Sequence, residues 1–186
     1  MEELVTQTTF IAFDFETTGL NASNDRIIEF GAVMFTTRGV VSTFHTYANP
    51  GIKVPHSAQL IHNISDQDLK NKPSVHGAVQ DFFHYIGDHV LIAHNANFDL
   101  EFLHAELRRA NQALLVHNKI IDTLALAKRT FPREKSYRLG NLITSFNLPD
   151  RKKHNALEDA YSCKDLFLYI VHHLSFFGEL ALRDCL

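Results

Sequence analysis

Thr9-Phe10-Ile11-Ala12-Phe13-Asp14-Phe15-Glu16-Thr17-Thr18-Gly19 is the stretch from which the rest of the chain can be read. Thr9–Phe15 is β-branched and aromatic, the composition of a buried strand. Side chains at i and i+2 leave the same face of a strand, so Asp14 and Glu16 point together, just ahead of a Thr-Thr-Gly turn. Two unit charges about 4 Å apart repel by roughly 4 kcal/mol at an effective dielectric of ~20. A fold that builds such a pair needs a cation or a shared proton. The pair reads as a divalent-metal site.

Working outward, the first part of the chain reads as three strands: Thr9–Phe15, Arg26–Thr36 and Val40–Ala48. A short turn through Arg38-Gly39 joins the second and third. The pattern then becomes helical. Pro55–Ile61 reads as a short helix, Ser65–Asp68 as a capped turn, and Ser74–Ile86 carries Val75, Val79, Phe82, Phe83 and Ile86 at helical spacing. Val90–Ala93 and Lys119–Ile121 are short strands, with a helix at Phe98–Ala110 between them. Helices at about 124–131, 139–146 and 156–174 follow. Strands first, then strands alternating with helices, predict an α/β layered fold with a mixed sheet. A chain of 186 residues without linker or repeat predicts one domain, 1–186, with its core at about 9–174.

Composition bounds the function. A net charge of −3 gives no global basic field for tight nucleic-acid binding. It leaves room for an enzyme that handles a strand end with its own cations. Cys163 and Cys185 lack metal-ligand spacing and read as reduced thiols. Met1-Glu2-Glu3-Leu4 has no signal-peptide layout and no apolar run reaches spanning length, so the expected location is cytoplasmic, without a membrane.

Two further motifs carry acids. His94-Asn95-Ala96-Asn97-Phe98-Asp99 follows a strand and places Asp99 in the first turn of a helix. Taken alone, Asp99 also fits an acid that favours the helix dipole. The second motif is His154-Asn155-Ala156-Leu157-Glu158-Asp159. On one continuous helix His154 and Asp159 would lie about 140° apart. His154 is therefore placed just before the helix and Asp159 in its early turns, so that both converge. Glu158 reads as an ordinary acidic helix start, and Asp122 as a helix cap or structural acid.

With these residues in order, the chain resembles the DEDDh family of 3′-to-5′ exonucleases, from about Thr9 to Val171. Asp14, Glu16, Asp99 and Asp159 match its four acids and His154 its histidine. Asp14–Leu20, Ile92–Asp99 and 121–127 are most similar to the proofreading exonucleases of bacterial DNA polymerase III, both the epsilon-subunit and the PolC-type group. The resemblance implies a ribonuclease H-like fold: a mixed five-stranded sheet, its first three strands antiparallel, flanked by helices. It implies two divalent cations, Mg²⁺ or Mn²⁺, which oxygen ligands favour over Zn²⁺. Asp14 would bridge the two ions, Glu16 and Asp159 would complete the ligands of the first ion, and Asp99 would hold the second ion. His154 would be the general base, a task suited to a side chain that ordinarily titrates near pH 6.5.

The same resemblance places the terminal nucleotide against the backbone of Thr17, Thr18 and Gly19, with Leu20 as a wedge at the base. His62 and Phe98 would line that pocket, and His94 would lie near it. The expected partners are a single-stranded or frayed DNA 3′ end and a replicative DNA polymerase. Asn155 stands where many relatives carry Arg or Gly, and Ser57 where the epsilon group has a glutamate near the sugar. The chain lacks the extension by which the epsilon subunit grips its polymerase, which leaves a stand-alone enzyme, a fragment or another docking mode open. Trimming of RNA is the alternative within the family, since sequence does not show contacts to the 2′-hydroxyl. A non-catalytic docking module is the alternative of another class.

Overall fold

The computed structural model describes residues 3–110, 116–152 and 154–186. Its centre is a five-stranded sheet in the order β3-β2-β1-β4-β5. The strands are β1 (Phe10–Thr17), β2 (Ile27–Thr36), β3 (Gly39–Tyr47), β4 (Val90–Ala93) and β5 (Ile120–Asp122). β1, β2 and β3 are antiparallel neighbours, whereas β4 runs parallel to both β1 and β5. The helices are α1 (His56–His62), α2 (Asp66–Leu69), α3 (Val75–Ile86), α4 (Ala96–Arg109), α5 (Thr123–Thr130), α6 (Leu139–Ser145) and α7 (Ala156–Leu174). The mixed sheet and flanking helices are those expected from the sequence.

Alternation along β1 divides the core. Ile11, Phe13 and Phe15 face α3 and α4, where Phe82 packs at ring-centre distances of 5.0–5.8 Å from Phe13, Phe15, Phe30 and Phe44. Phe10 and Ala12 face α5, α6 and α7. Asp14 and Glu16 continue this second face to the end of the strand, where the apolar packing stops.

Local chemistry sets the boundaries. β1 runs two residues past Phe15, and a register shift between Glu16 and Thr17 ends its regular pairing. The β2–β3 connection turns through Thr37 and Arg38, and Gly39 already belongs to β3 with φ +149°. Ser65 forms a capping box with Asp68 at the start of α2. Helix α4 begins two residues before the expected Phe98, because Asn95 takes a left-handed turn at φ +68° and starts the helix at once. Helix α7 runs over Ala156–Leu174 as expected, capped by Asn155, whose side chain accepts a hydrogen bond from the Glu158 N–H.

Candidate active site

Three elements bring the acids together. β1 supplies Asp14 and Glu16, the first turn of α4 supplies Asp99, and the first turn of α7 supplies Asp159. Cross-strand pairing sets Asp14 opposite Gly31 and Glu16 opposite Glu29. Paired residues share a face of the sheet. At Gly31 a side chain has no room, because the backbone of Ala156 and Leu157 lies where a Cβ would sit. The missing Cβ lets the first turn of α7 descend onto the sheet beside Asp14.

Ligating atoms of Glu16, His154 and Asp159 lie within 4.8 Å of one another. His154 holds a left-handed backbone, φ +57°, and its N–H donates to Asp159 Oδ2 at 2.9 Å. This loop-then-helix arrangement is how residues five apart reach one site.

The electrostatics match a site built for cations. Burial pushes the Asp14 carboxyl well above the usual range, and Asp99, Asp159, Glu16 and Glu29 add to it. Burial, then the neighbouring Asp159, Glu29 and Asp99, raise Glu16 to about 8. Asp99 is raised to about 8 by burial, with hydrogen bonds from the Phe15 and Asp99 backbone acting the other way. Asp159 is raised by burial, while the His154 backbone and ring hold it down. Among the described residues, no lysine or arginine forms an ion pair with these four acids. Repulsion among carboxylates that protein cations leave unrelieved is what a divalent ion would neutralise, and the donor set fits one.

Two clefts flank the acids. The first, about 290 Å³, is mostly apolar and is lined by Phe15, Glu16, Thr17, Gly19, Leu20, Ser57, Ala58, Ile61, His62 and Phe98. Leu20 is 85% exposed, a large apolar side chain left standing at its mouth. His62 is buried there; burial lowers its pKa against an opposing contact with the Thr17 backbone, its Nδ1 accepts the Ile64 N–H at 3.0 Å, and among the described residues its Nε2 makes no hydrogen bond of good geometry. A buried nitrogen so placed in a cleft is a place for a ligand's polar group. The second cleft, about 430 Å³, carries charged and polar side chains and is lined by Asp14, His94, Arg138, Leu139, Gly140, Asn141, His154 and Asp159.

Two of the residues expected at the substrate, Thr18 and His94, are not among those that line the first cleft. The Thr18 side chain turns inward, bonding Asp25 Oδ1 at 3.1 Å and accepting the Arg26 N–H at 3.0 Å, so it does not line the first cleft. His94 lines the second cleft together with Asp14, His154 and Asp159. Its ring is tied to Thr123 Oγ1 at 2.9 Å and to the Tyr137 carbonyl at 2.8 Å, and burial lowers its pKa. Asp122 caps α5 through the Leu124 N–H and also accepts the Asn95 N–H, both at 2.9 Å. Glu29 went unnoticed in sequence; its signal is a single charge inside Ile27-Ile28-Glu29-Phe30. Nothing in the sequence marks Arg138 or Asn141.

Residues 11–167 match the family model described as Exonuclease, RNase_T. The chain is 45% identical over 166 residues to DNA polymerase III subunit epsilon of Treponema pallidum, covering 88% of this chain and 77% of that protein. It is 34% identical over 175 residues to DNA polymerase III PolC-type of Caldanaerobacter subterraneus, spanning 94% of this chain but only 12% of that protein. Among solved structures, exonuclease X in complex with 5′-overhanging duplex DNA is similar with a TM-score of 0.72 and 25% identity, over 96% of this chain and 97% of that one.

Proposed function

The chain belongs to the RNase_T exonuclease family, and from that premise we propose that it is a proofreading 3′-to-5′ exonuclease. It would hydrolyse the last phosphodiester of a single-stranded or frayed DNA end and release nucleoside 5′-monophosphates. We take residues 1–186 as one exonuclease domain with its core at about 9–174. The observation that carries the reading is the convergence of Glu16, Asp159 and His154 within 4.8 Å, beside Asp14 and next to an apolar cleft.

Enzymes of this family use divalent metal ions, and the proposal is finer: Mg²⁺ or Mn²⁺ at two positions. Asp14, Glu16 and Asp159 would hold one ion, and Asp14 with Asp99 the other. Bound there, such ions polarise the attacking water and neutralise charge on the leaving 3′ oxygen. His154 takes the water's proton at a ring nitrogen, from a position beside Glu16 and Asp159. Leu20, Ile61 and Phe98 receive the terminal base against apolar surface, and His62 Nε2 offers a polar contact to the same nucleotide. The backbone of Thr17 and Gly19 forms the wall of that cleft. A terminal base that has lost its pairing partner enters such a cleft more readily than a stacked one, which favours mismatched ends. The partner we infer is a replicative DNA polymerase, on the likeness to polymerase III subunits. Among the described residues no helix is long and apolar enough to cross a membrane.

The test is initial rates on 3′-mismatched DNA, 3′-matched DNA and single-stranded RNA of one sequence, with Mn²⁺, Mg²⁺ or EDTA, beside His154→Ala. The expected result is metal-dependent trimming of DNA, faster at the mismatch, and lowered about 10²- to 10⁴-fold in the variant. Preference for RNA would move the enzyme to RNA turnover. Absence of metal-dependent hydrolysis on every substrate would overturn the reading.

A further inference from the structure

Glu29 has no part in the reaction outlined above, yet it is 0% exposed and sits opposite Glu16 on the neighbouring strand. A carboxylate removed from water is costly unless donors surround it. Several donors do. Glu29 Oε1 lies 2.7 Å from His45 Nε2 and accepts from Asn155 Nδ2 at 2.6 Å, Oε2 accepts from the Ala156 N–H at 3.3 Å, and the Tyr47 hydroxyl also bonds the carboxyl. Two of these donors come from 126 and 127 residues further along the chain, where α7 begins. The Asn155 side chain therefore works at both ends: its Oδ1 caps the helix through the Glu158 N–H and its Nδ2 ties that cap to β2. Gly31, two residues on from Glu29 and on the same face, brings the α7 backbone close enough for these bonds. His154 lies immediately before this anchor, in a strained left-handed conformation, bonded to Asp159 on its other side.

We propose that Glu29 is a positioning residue: through Asn155 and the Ala156 N–H it fixes the start of α7, and so holds the His154 imidazole beside Glu16 and Asp159. The consequence for rate rests on the exonuclease reading, whereas the consequence for geometry does not. In this chain the anchor is an amide that bridges helix cap and buried acid.

The experiment uses the full chain and single-stranded oligodeoxynucleotide with Mn²⁺. Glu29→Gln cannot satisfy all of these donors, because its NH₂ must face one of them. The expected result is kcat down about 10- to 100-fold with KM within about twofold, the range for losing a residue that orients a group at a metal site. Asn155→Asp sets a carboxylate against Glu29 while keeping the helix cap, and should act in the same direction. The pair Glu29→Gln with Asn155→Asp restores a hydrogen bond of reversed polarity and should return kcat to within about fivefold of the parent.

In a His154→Ala background, Glu29→Gln should lower the residual rate by less than about twofold, because the residue it positions is gone. The proposal is overturned by a folded Glu29→Gln protein whose kcat stays within twofold of the parent. It is equally overturned if the double variant loses the product of the two single losses, or if Glu29→Gln costs the same factor with and without His154. A parent protein without hydrolysis would refute the exonuclease reading separately. NMR signals of the His154 ring and the Ala156 amide would then decide the positioning role: movement in Glu29→Gln and return in the double variant support it, and unmoved signals overturn it.

Discussion

Gly31→Ala places one methyl group at the point where α7 rests on the sheet. The added Cβ would meet Ala156 C and O and Leu157 N, all backbone atoms, at distances about 1 Å or more inside the 3.4 Å at which ordinary contact begins. No side-chain rotation relieves such a clash. Either β2 bends or the start of α7 retreats by about 1 Å. That segment carries His154 and Asp159 and contributes two hydrogen bonds to Glu29. Overpacking of this kind costs roughly 1–3 kcal/mol. In a domain of this size that corresponds to a fall in Tm of about 2–12 °C. The effect on catalysis should be the larger one, since a displacement of about 1 Å at a reacting group lowers rates on the order of 10²-fold. The assay pairs thermal melts with initial-rate trimming of single-stranded DNA, read as kcat and KM separately. A variant that keeps kcat within threefold of the parent, at any Tm, would refute the claim that the seating of α7 on Gly31 sets the geometry of the site.

Other outcomes follow from the same geometry. Glu16 and Asp99 are raised to about 8 in the folded chain, so between about pH 4.5 and 8 the folded state holds protons that the unfolded state has released, and metal-free stability falls as pH rises through that window. Saturating Mn²⁺ should reverse this, stabilising by about 2.7 kcal/mol at a 100-fold excess over Kd, or roughly 5–10 °C in Tm, with a larger shift at pH 8 than at pH 5.5; calorimetric melts with and without EDTA measure it, and an equal shift at both pH values contradicts it. Leu20→Ala should leave Tm unchanged, because the side chain is already 85% exposed, while KM for single-stranded DNA rises about 10-fold; an unchanged KM removes Leu20 from the substrate cleft. Asp122→Ala deprives both the Leu124 and Asn95 N–H groups of their acceptor and should cost about 1–2 kcal/mol by denaturant titration, whereas an unchanged midpoint would show that water replaces both bonds.

How far the sequence could be read depended on whether the deciding interaction was local. β1 was legible because its apolar run and its paired acids obey the period of a strand. α7 was legible to the residue because Asn155 is a familiar cap and the apolar spacing behind it is regular. The start of α4 was not, since Asn95 opens that helix from a left-handed conformation that nothing next to it requires. His62 and His94 look alike in sequence, each in a polar turn beside an apolar segment. Only the fold separates them, leaving one with an under-bonded nitrogen in the apolar cleft and tying the other's two nitrogens to Thr123 and Tyr137. Glu29 was hidden for the same reason: its donors lie in another strand and at a helix start more than a hundred residues away.

The order in which the site's parts occur along the chain also bears on synthesis in the cell. The strand acids and Asp99 precede residue 100, but His154 and Asp159 arrive with α7, which packs across β1 and β2. On the proposed reading, a nascent chain still lacking that helix has three of the four acids but neither Asp159 nor His154, and its sheet face is uncovered. If those residues carry the proposed reaction, hydrolysis near nucleic acid would be withheld from incomplete chains until the docking event that closes the core.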